Sequence, residues 1–359
     1  MIEFLIQYPY ISTILTFLIG ALLMPSIVKF AKRHNLVVRP NKRTSHTGSV
    51  PNIGGANIFL SLLVIFIGLL ATNSISISFF VGFCVVFIIG FVDDRLVLSA
   101  YWKLLGETLG AFCIIYFADV RIDSLHGLFG LYELPLWASY IISYFVYVLI
   151  INALNLVDGV DGLASSLAII YSLFFGLWFL LVGENYLAMI CFASVGVLLI
   201  FFIYNVFGGI DKKIFMGDSG SLTIGYLISF IVFSFIQKSS NMPADAWMNF
   251  PYSPATAIIV LFVPIFDVFR VSLTRLKKGK SIFEADRNHI HHLLLRLGLS
   301  HRGVTFILDV ATLFFIALAI LLKDYNFWVQ VPIVLLISCL LILIIWQLIN
   351  NQEHKNEKI

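Results

Sequence analysis

The sequence predicts an all-α polytopic membrane protein, and three observations lead there. Its 359 residues are 60% hydrophobic and 12% charged, with a mean hydropathy of +0.97, too apolar for one or two water-soluble domains. Apolar stretches close to the roughly 20 residues that cross a bilayer recur along the whole chain. Lysine and arginine fall almost entirely on alternate connections between those stretches, the asymmetry that orients membrane proteins.

Eleven transmembrane helices are predicted, near 4–28, 54–71, 76–92, 101–118, 137–151, 163–182, 186–204, 219–237, 254–274, 304–322 and 327–349. The stretches 76–92 and 137–151 are short and borrow flanking residues. An odd count puts the termini on opposite sides. On this scheme 20 of the 23 Lys and Arg residues share one side, leaving Arg121, Lys238 and Lys323 on the other. The basic side is then cytoplasmic, with the N-terminus outside and the C-terminus inside. Only Glu3 precedes the first apolar run, and Lys29, Lys32 and Arg33 follow it, so that run reads as a retained span. Residues 1–350 form one integral membrane domain and 351–359 a short cytoplasmic tail. No internal repeat is detectable, which weighs against an inverted-repeat transporter. Cys84, Cys113, Cys191 and Cys339 lie inside apolar runs without metal spacing and read as small hydrophobes. The net charge of +3 gives no electrostatic case for a nucleic-acid partner.

The predicted external connections are plain; the longer two, 119–136 and 238–253, carry scattered polar and aromatic residues and read as surface caps. Every chemically suggestive cluster falls on the cytoplasmic side. Asn152, Asn155, Asp158 and Asp161 lie three residues apart, a spacing that on a helical turn makes one polar stripe able to grip a cation or a hydroxyl-rich ligand. A loop punctuated by two Asp-Gly pairs is the plainer alternative. Asp93 and Asp94 end the third span. Helical neighbours point about 100° apart, so one of the pair faces a ligand while the other holds Arg95 or Lys103, unless both simply stop the span.

Phe215-Met216-Gly217-Asp218-Ser219-Gly220-Ser221 opens the eighth span. Its glycines let backbone approach a ligand, a helix N-terminus offers N–H groups to phosphate, and Asp218 supplies the carboxylate that Mg²⁺ takes alongside phosphates and water. An Asp or Ser cap is the alternative, but Lys212 and Lys213 just upstream favour a diphosphate and metal site. His289, His291 and His292 follow Asp286 and Arg287. Their spacing matches no helical zinc pair, and imidazoles among arginines suit phosphate oxygens. Lys42, Arg43 and His46, among turn residues before the second span, fit phosphate binding or positive-inside anchoring. Glu107, Asp309 and the pair Asp267 and Arg270, three apart after Pro264, are ionisable residues within spans; the last two pair across a kinked helix. Carboxylates at Asp93, Asp94, Asp158, Asp161 and Asp218 on one membrane face repel one another unless a divalent cation joins them. The residues alone thus point to Mg²⁺-dependent phosphate or diphosphate chemistry at the cytoplasmic surface.

At these residues the chain resembles the polyprenyl-phosphate N-acetylhexosamine-1-phosphate transferases. The match runs in order through 39–55, Asp93-Asp94-Arg95, Lys103, 152–163, 215–222 and 284–295. Such enzymes move a sugar 1-phosphate from a UDP-sugar to a membrane polyprenyl phosphate and release UMP. The resemblance implies Asp218 as ligand of Mg²⁺, or of Mn²⁺ in its place, joined by Asn155. It implies catalytic roles for Asp93, Asp94 and Asp158, with Asp93 as the base that deprotonates the lipid phosphate. Lys103 lies near the diphosphate, His289, His291 and His292 hold the donor phosphates, Asp161 lies near the uracil, and Asn152, Lys42, Arg43 and His46 contact substrate.

The Ala285-Asp286 and His289-Ile290-His291-His292 pattern resembles the N-acetylglucosamine branch, so the donor implied is UDP-N-acetylglucosamine or another UDP-N-acetylhexosamine and the acceptor undecaprenyl phosphate. The setting implied is the bacterial cytoplasmic membrane and the first step of a cell-surface glycan, with room for a homodimer. The alternatives are an intramembrane Mg²⁺-dependent prenyltransferase, which leaves Met-Gly-Asp-Ser-Gly and the histidines without a role, and a secondary transporter of an anionic metabolite, whose ionisable groups belong at the midplane.

Overall fold

The computed structural model describes residues 2–38, 50–128, 130–209, 211–243, 245–279 and 288–356. All eleven predicted stretches are helical, and the protein is an all-α polytopic membrane protein. The first stretch is split after α1 (Ile2–Gln7), before Pro9, and continues as α2 (Ile11–Arg33). A two-residue ribbon, β1 (Val37–Val38) against antiparallel β2 (Val50–Pro51), leads into α3 (Gly54–Ala71). Then come α4 (Ile77–Leu96), α5 (Ala100–Phe112) with a π-helical turn over Cys113–Phe117, and α6 (Leu136–Leu156), which tightens into a 3₁₀ turn over Val157–Gly159. The series α7 (Leu163–Leu181), α8 (Asn185–Val206) and α9 (Gly217–Ser240) forms the middle of the bundle.

The ninth stretch is broken. α10 (Ser253–Val260) and α11 (Phe262–Lys277) meet at an 80° bend. Pro264 explains the position of the break: it has no N–H, and its ring meets the carbonyl of Val260, four residues back, where α10 ends. The short α12 (Ile290–Arg296) precedes α13 (His301–Leu321) and α14 (Phe327–Asn356). Among the described residues nine helices are long and apolar enough to cross a membrane, ten if the bent pair is one span. The predicted span left out of that count, 101–118, is the 13-residue α5 continued by its π turn.

α9 is the axis of the bundle. It packs on α3, α4, α6, α7 and α10, and its most apolar 18-residue window is wholly buried inside the protein, against 17% for α14 at the periphery. A helix buried all round needs small residues and internally satisfied hydroxyls. Gly225 admits the side chain of Ile151 from α6, and Thr223 and Ser229 donate to carbonyls one turn back. The N-terminus of α9 is thereby fixed among the ends of α4 and α6, and there the predicted site residues meet.

Candidate active site

Met216-Gly217-Asp218 turns sharply into α9, and Gly217 takes φ +72°, a conformation costly to side-chain-bearing residues. The free N–H groups of this helix start are capped from another helix. Asp94 on α4 accepts from Asp218 N at 2.8 Å and Ser219 N at 3.0 Å, and from the Asn52 side chain at 3.0 Å. A carboxylate at a helix N-terminus is favoured by both hydrogen bonding and the helix dipole. Gly90, one turn earlier on α4, makes the approach feasible, since a Cβ there would stand 2.6 Å from the Asp218 carbonyl oxygen. From the other side Gly54 N and Gly55 N donate to the carbonyls of Phe215 and Met216, both at 2.9 Å, so α3 begins on this same turn.

Asp218 projects into a compact charged group. Lys103 on α5 donates to Asp218 Oδ1 at 2.7 Å and lies 3.1 Å from Asp93 Oδ2, so one ammonium serves two carboxylates. Asp93 also accepts from Leu98 N at 2.7 Å. Half of the predicted division of the acidic pair is present: Asp93 holds Lys103, whereas Asp94 turns to cap the start of α9. Arg95 lies over the Phe91 ring. Asn155 donates to Asp218 Oδ1 and to Ser221 Oγ. One helical turn deeper, Asn152 donates to the buried Glu107 at 2.8 Å, which places it below the group.

The polar stripe keeps its spacing across a change of structure. Asn152 and Asn155 are on α6, Asp158 is in the 3₁₀ turn and Asp161 in the loop that follows. Asp158 is within the field of Asp218, Asp94 and Asp161 and lies beside the Gly217 backbone. Asp161 pairs with Lys213 at 2.7 Å and lies 3.6 Å from His301, and its carbonyl accepts from Thr305 at 2.8 Å. Asn205 ties this loop to the approach to α9, accepting from Gly162 N and donating to the Ile214 carbonyl. His291 closes the group: its Nε2 lies 3.4 Å from where a Cβ on Gly159 would stand. Burial, then the neighbouring His292, push the His291 pKa down to about 3, so its ring is neutral.

His289 is placed otherwise. Its Nδ1 donates to Asp267 at 2.9 Å, and its ring lies parallel to that of His291 with centroids 5.7 Å apart. His292 packs against His291 at 4.2 Å between centroids. Lys42, Arg43 and His46 lie outside the described residues. At the opposite end of α9, a cavity of about 710 Å³ lined by Arg121, Asp123, His126 and Tyr252 contains none of the predicted site residues.

The structure therefore brings Asp93, Lys103, Asn155, Asp158, Asp161, His291 and Asp218 to one end of the bundle, with Asp94 as the cap that sets Asp218. Sequence reading missed Asn52, Asn205, His301 and Thr305, whose partners are remote in sequence. The one available signal was the four-residue spacing of His301, Thr305 and Asp309 on an otherwise apolar helix. Among the described residues no three His, Cys, Asp or Glu side chains converge as a protein-only metal cage. Asp218 instead suits Mg²⁺, which takes one or two carboxylates and completes its shell with phosphates and water. Asn155 turns its Nδ2 toward Asp218, and reversing the amide would turn its Oδ1 there instead.

Fold and site define a multi-pass membrane protein with a mixed acidic and basic centre at one end of its bundle. Residues 76–236, from α4 to α9, match the model of Glycosyl transferase family 4. The undecaprenyl-phosphate alpha-N-acetylglucosaminyl 1-phosphate transferase of Escherichia coli (strain K12) is 31% identical over 316 residues, covering 86% of this chain and 83% of that protein. The probable undecaprenyl-phosphate N-acetylglucosaminyl 1-phosphate transferase of Bacillus subtilis (strain 168) is 31% identical over 334 residues, 91% of this chain and 88% of that protein. The chain belongs to glycosyl transferase family 4.

Proposed function

We propose that this chain transfers N-acetylglucosamine 1-phosphate from UDP-N-acetylglucosamine to undecaprenyl phosphate and releases UMP, with eleven spans, the N-terminus outside and the site at the cytoplasmic face of a bacterial inner membrane. The observation that carries the reading is Lys103 bonded to both Asp93 and Asp218, beside the Lys213–Asp161 pair and His291. A diphosphate donor and a phosphate acceptor bring several negative charges together, and fixed cations at the point of transfer offset that repulsion. The relatives' names supply the sugar and the lipid.

In this reading an oxygen of the lipid phosphate bonds to the sugar-linked phosphorus as the bond from that phosphorus to the bridging oxygen of UMP breaks. Asp93 takes the proton of a monoanionic lipid phosphate. Lys103 moves from its carboxylates toward the phosphate oxygens, His291 donates to the donor diphosphate, and Asp161, oriented by His301 and Thr305, meets the uracil. Asp158 tunes the field at Asp218. Mg²⁺, or Mn²⁺, held by Asp218 with Asn155, would neutralise diphosphate charge.

The test is to give purified protein undecaprenyl phosphate and a panel of UDP-sugars and to weigh the lipid product. A gain of one N-acetylhexosamine phosphate with UDP-N-acetylglucosamine, lost in Asp218→Ala at unchanged protein yield, supports the reading. No product with any UDP-N-acetylhexosamine, or normal turnover by Asp218→Ala, overturns it.

A further inference from the structure

Asp267 lies on α11, away from the Asp218 centre, yet it is one of the most heavily engaged carboxylates in the chain. Its side chain is 6% exposed. Oδ1 accepts from Arg270 Nη2 at 2.8 Å and from the backbone N of Ile290 at 3.0 Å, and Oδ2 accepts from His289 Nδ1 at 2.9 Å. Arg270 in turn donates to the carbonyl of Asn288. Two residues of α11 thus hold three consecutive residues, Asn288, His289 and Ile290, which open α12.

Leu261 and Pro264 set the direction of α11 at the 80° bend, and Asp267 follows three residues after Pro264. The His289 side chain and the Ile290 backbone N–H held by Asp267 directly precede His291, whose ring reaches Gly159 beside Asp158. A seven-residue helix has little stability of its own, so its position depends on what anchors its ends. Here the anchor is a buried carboxylate with charge-assisted bonds, stronger than neutral ones.

We infer that Asp267 and Arg270 are positioning residues that set His291 and His292 against the donor site, and that His289 is the pin they hold and makes no contact with substrate. This rests on the reading above that His291 donates to the donor diphosphate. Such a clasp links the bent α10–α11 pair directly to donor affinity.

The test uses the full-length protein in detergent and turns on two near-isosteric replacements. His289→Asn keeps an N–H donor where Nδ1 stands, whereas His289→Gln keeps one where Nε2 stands and loses the bond to Asp267. The clasp predicts that His289→Asn stays within about two-fold of wild type, while His289→Gln and Asp267→Asn raise KM for UDP-N-acetylglucosamine on the order of ten-fold with little change in kcat or in KM for the lipid. Hydrogen exchange across residues 288–296 should accelerate in the same two variants and not in His289→Asn. If His289→Gln is the better tolerated, His289 touches substrate through Nε2 and the inference is wrong. Unchanged exchange in Asp267→Asn also overturns it. Should the wild-type protein make no lipid-linked sugar, the transferase reading falls, and the exchange measurement still decides the clasp.

Discussion

Lys103 Nζ donates to Asp218 Oδ1 at 2.7 Å, joining the start of α5 to the start of α9 across 115 residues of sequence. The same ammonium lies 3.1 Å from Asp93. Three partly buried groups therefore carry a net charge of minus one before any ligand arrives. Replacing Lys103 with Met leaves two carboxylates facing each other without a cation. The expected result is a loss of kcat on the order of 100-fold or more, with sugar-lipid product measured in membranes and protein amount checked by immunoblot. Turnover within three-fold of wild type would remove Lys103 from the transfer step.

Metal removal follows from the same group. Chelation with EDTA should stop UMP release by the wild-type protein, and added Mg²⁺ should restore it, because the carboxylates at Asp218 and Asp93 need charge beyond Lys103 once phosphates bind. In Asp218→Ala no Mg²⁺ concentration should restore release.

Asp94 is separable from Asp93. As the cap of α9 it accepts from two backbone N–H groups, and loss of a cap costs about 0.5–2 kcal/mol. Asp94→Ala should lower the thermal midpoint along with activity, and Asp94→Asn, which keeps one acceptor oxygen, should recover part of both. A catalytic need for the charge itself would make the two variants equally inactive while sparing the midpoint in Asp94→Asn.

Gly90 offers a steric test of the same contact. A methyl group there would stand 2.6 Å from the Asp218 carbonyl oxygen, so α4 and α9 must separate. Gly90→Ala should cost about 1–3 kcal/mol of stability and displace Asp218 from Lys103, giving a folded but weakly active protein. Circular dichroism melts and turnover on one preparation would read both effects.

The acid side of the stability profile should carry the signature of His291. Its pKa of about 3 in the folded protein lies below the ordinary 6.5, so between those values the unfolded chain binds a proton that the folded one refuses. Its contribution is intact above pH 6.5 and is lost progressively as pH falls toward 3. Melting midpoints of detergent-solubilised protein between pH 7.5 and 4.5 should fall less steeply in His291→Gln than in wild type.

Local patterns in the sequence carried local facts. The apolar stretches were helical where expected, the 100° offset between Asp93 and Asp94 sent them to different partners, and Asp267 and Arg270 paired at three residues' spacing. The break at Leu261 was signalled by Pro264, although its 80° angle depends on what α10 and α11 pack against. The placing of Asn155 beside Asp218 came from resemblance, since nothing in spacing joins residues 63 apart. Asn205 was illegible for the same reason, and the four-residue spacing of His301 and Thr305 marked a face of α13 without naming its partner: each acts through a residue brought near only by the fold. His289 shows the opposite difficulty, because a dense His cluster hides that one ring faces a buried carboxylate.

The burial of α9 has a consequence for how the protein meets its surroundings. Helices at the rim, such as α14, adjust their tilt when the bilayer thickens or thins. α9 is sheathed by protein along its apolar length, and Asp218 stands at its very end. On the proposed reading the reacting centre is borne by an element sheathed from lipid, and a lipid substrate would come to it from the side. Transfer rates in nanodiscs of different acyl length should therefore follow the delivery of the lipid phosphate, with the donor's KM holding steady.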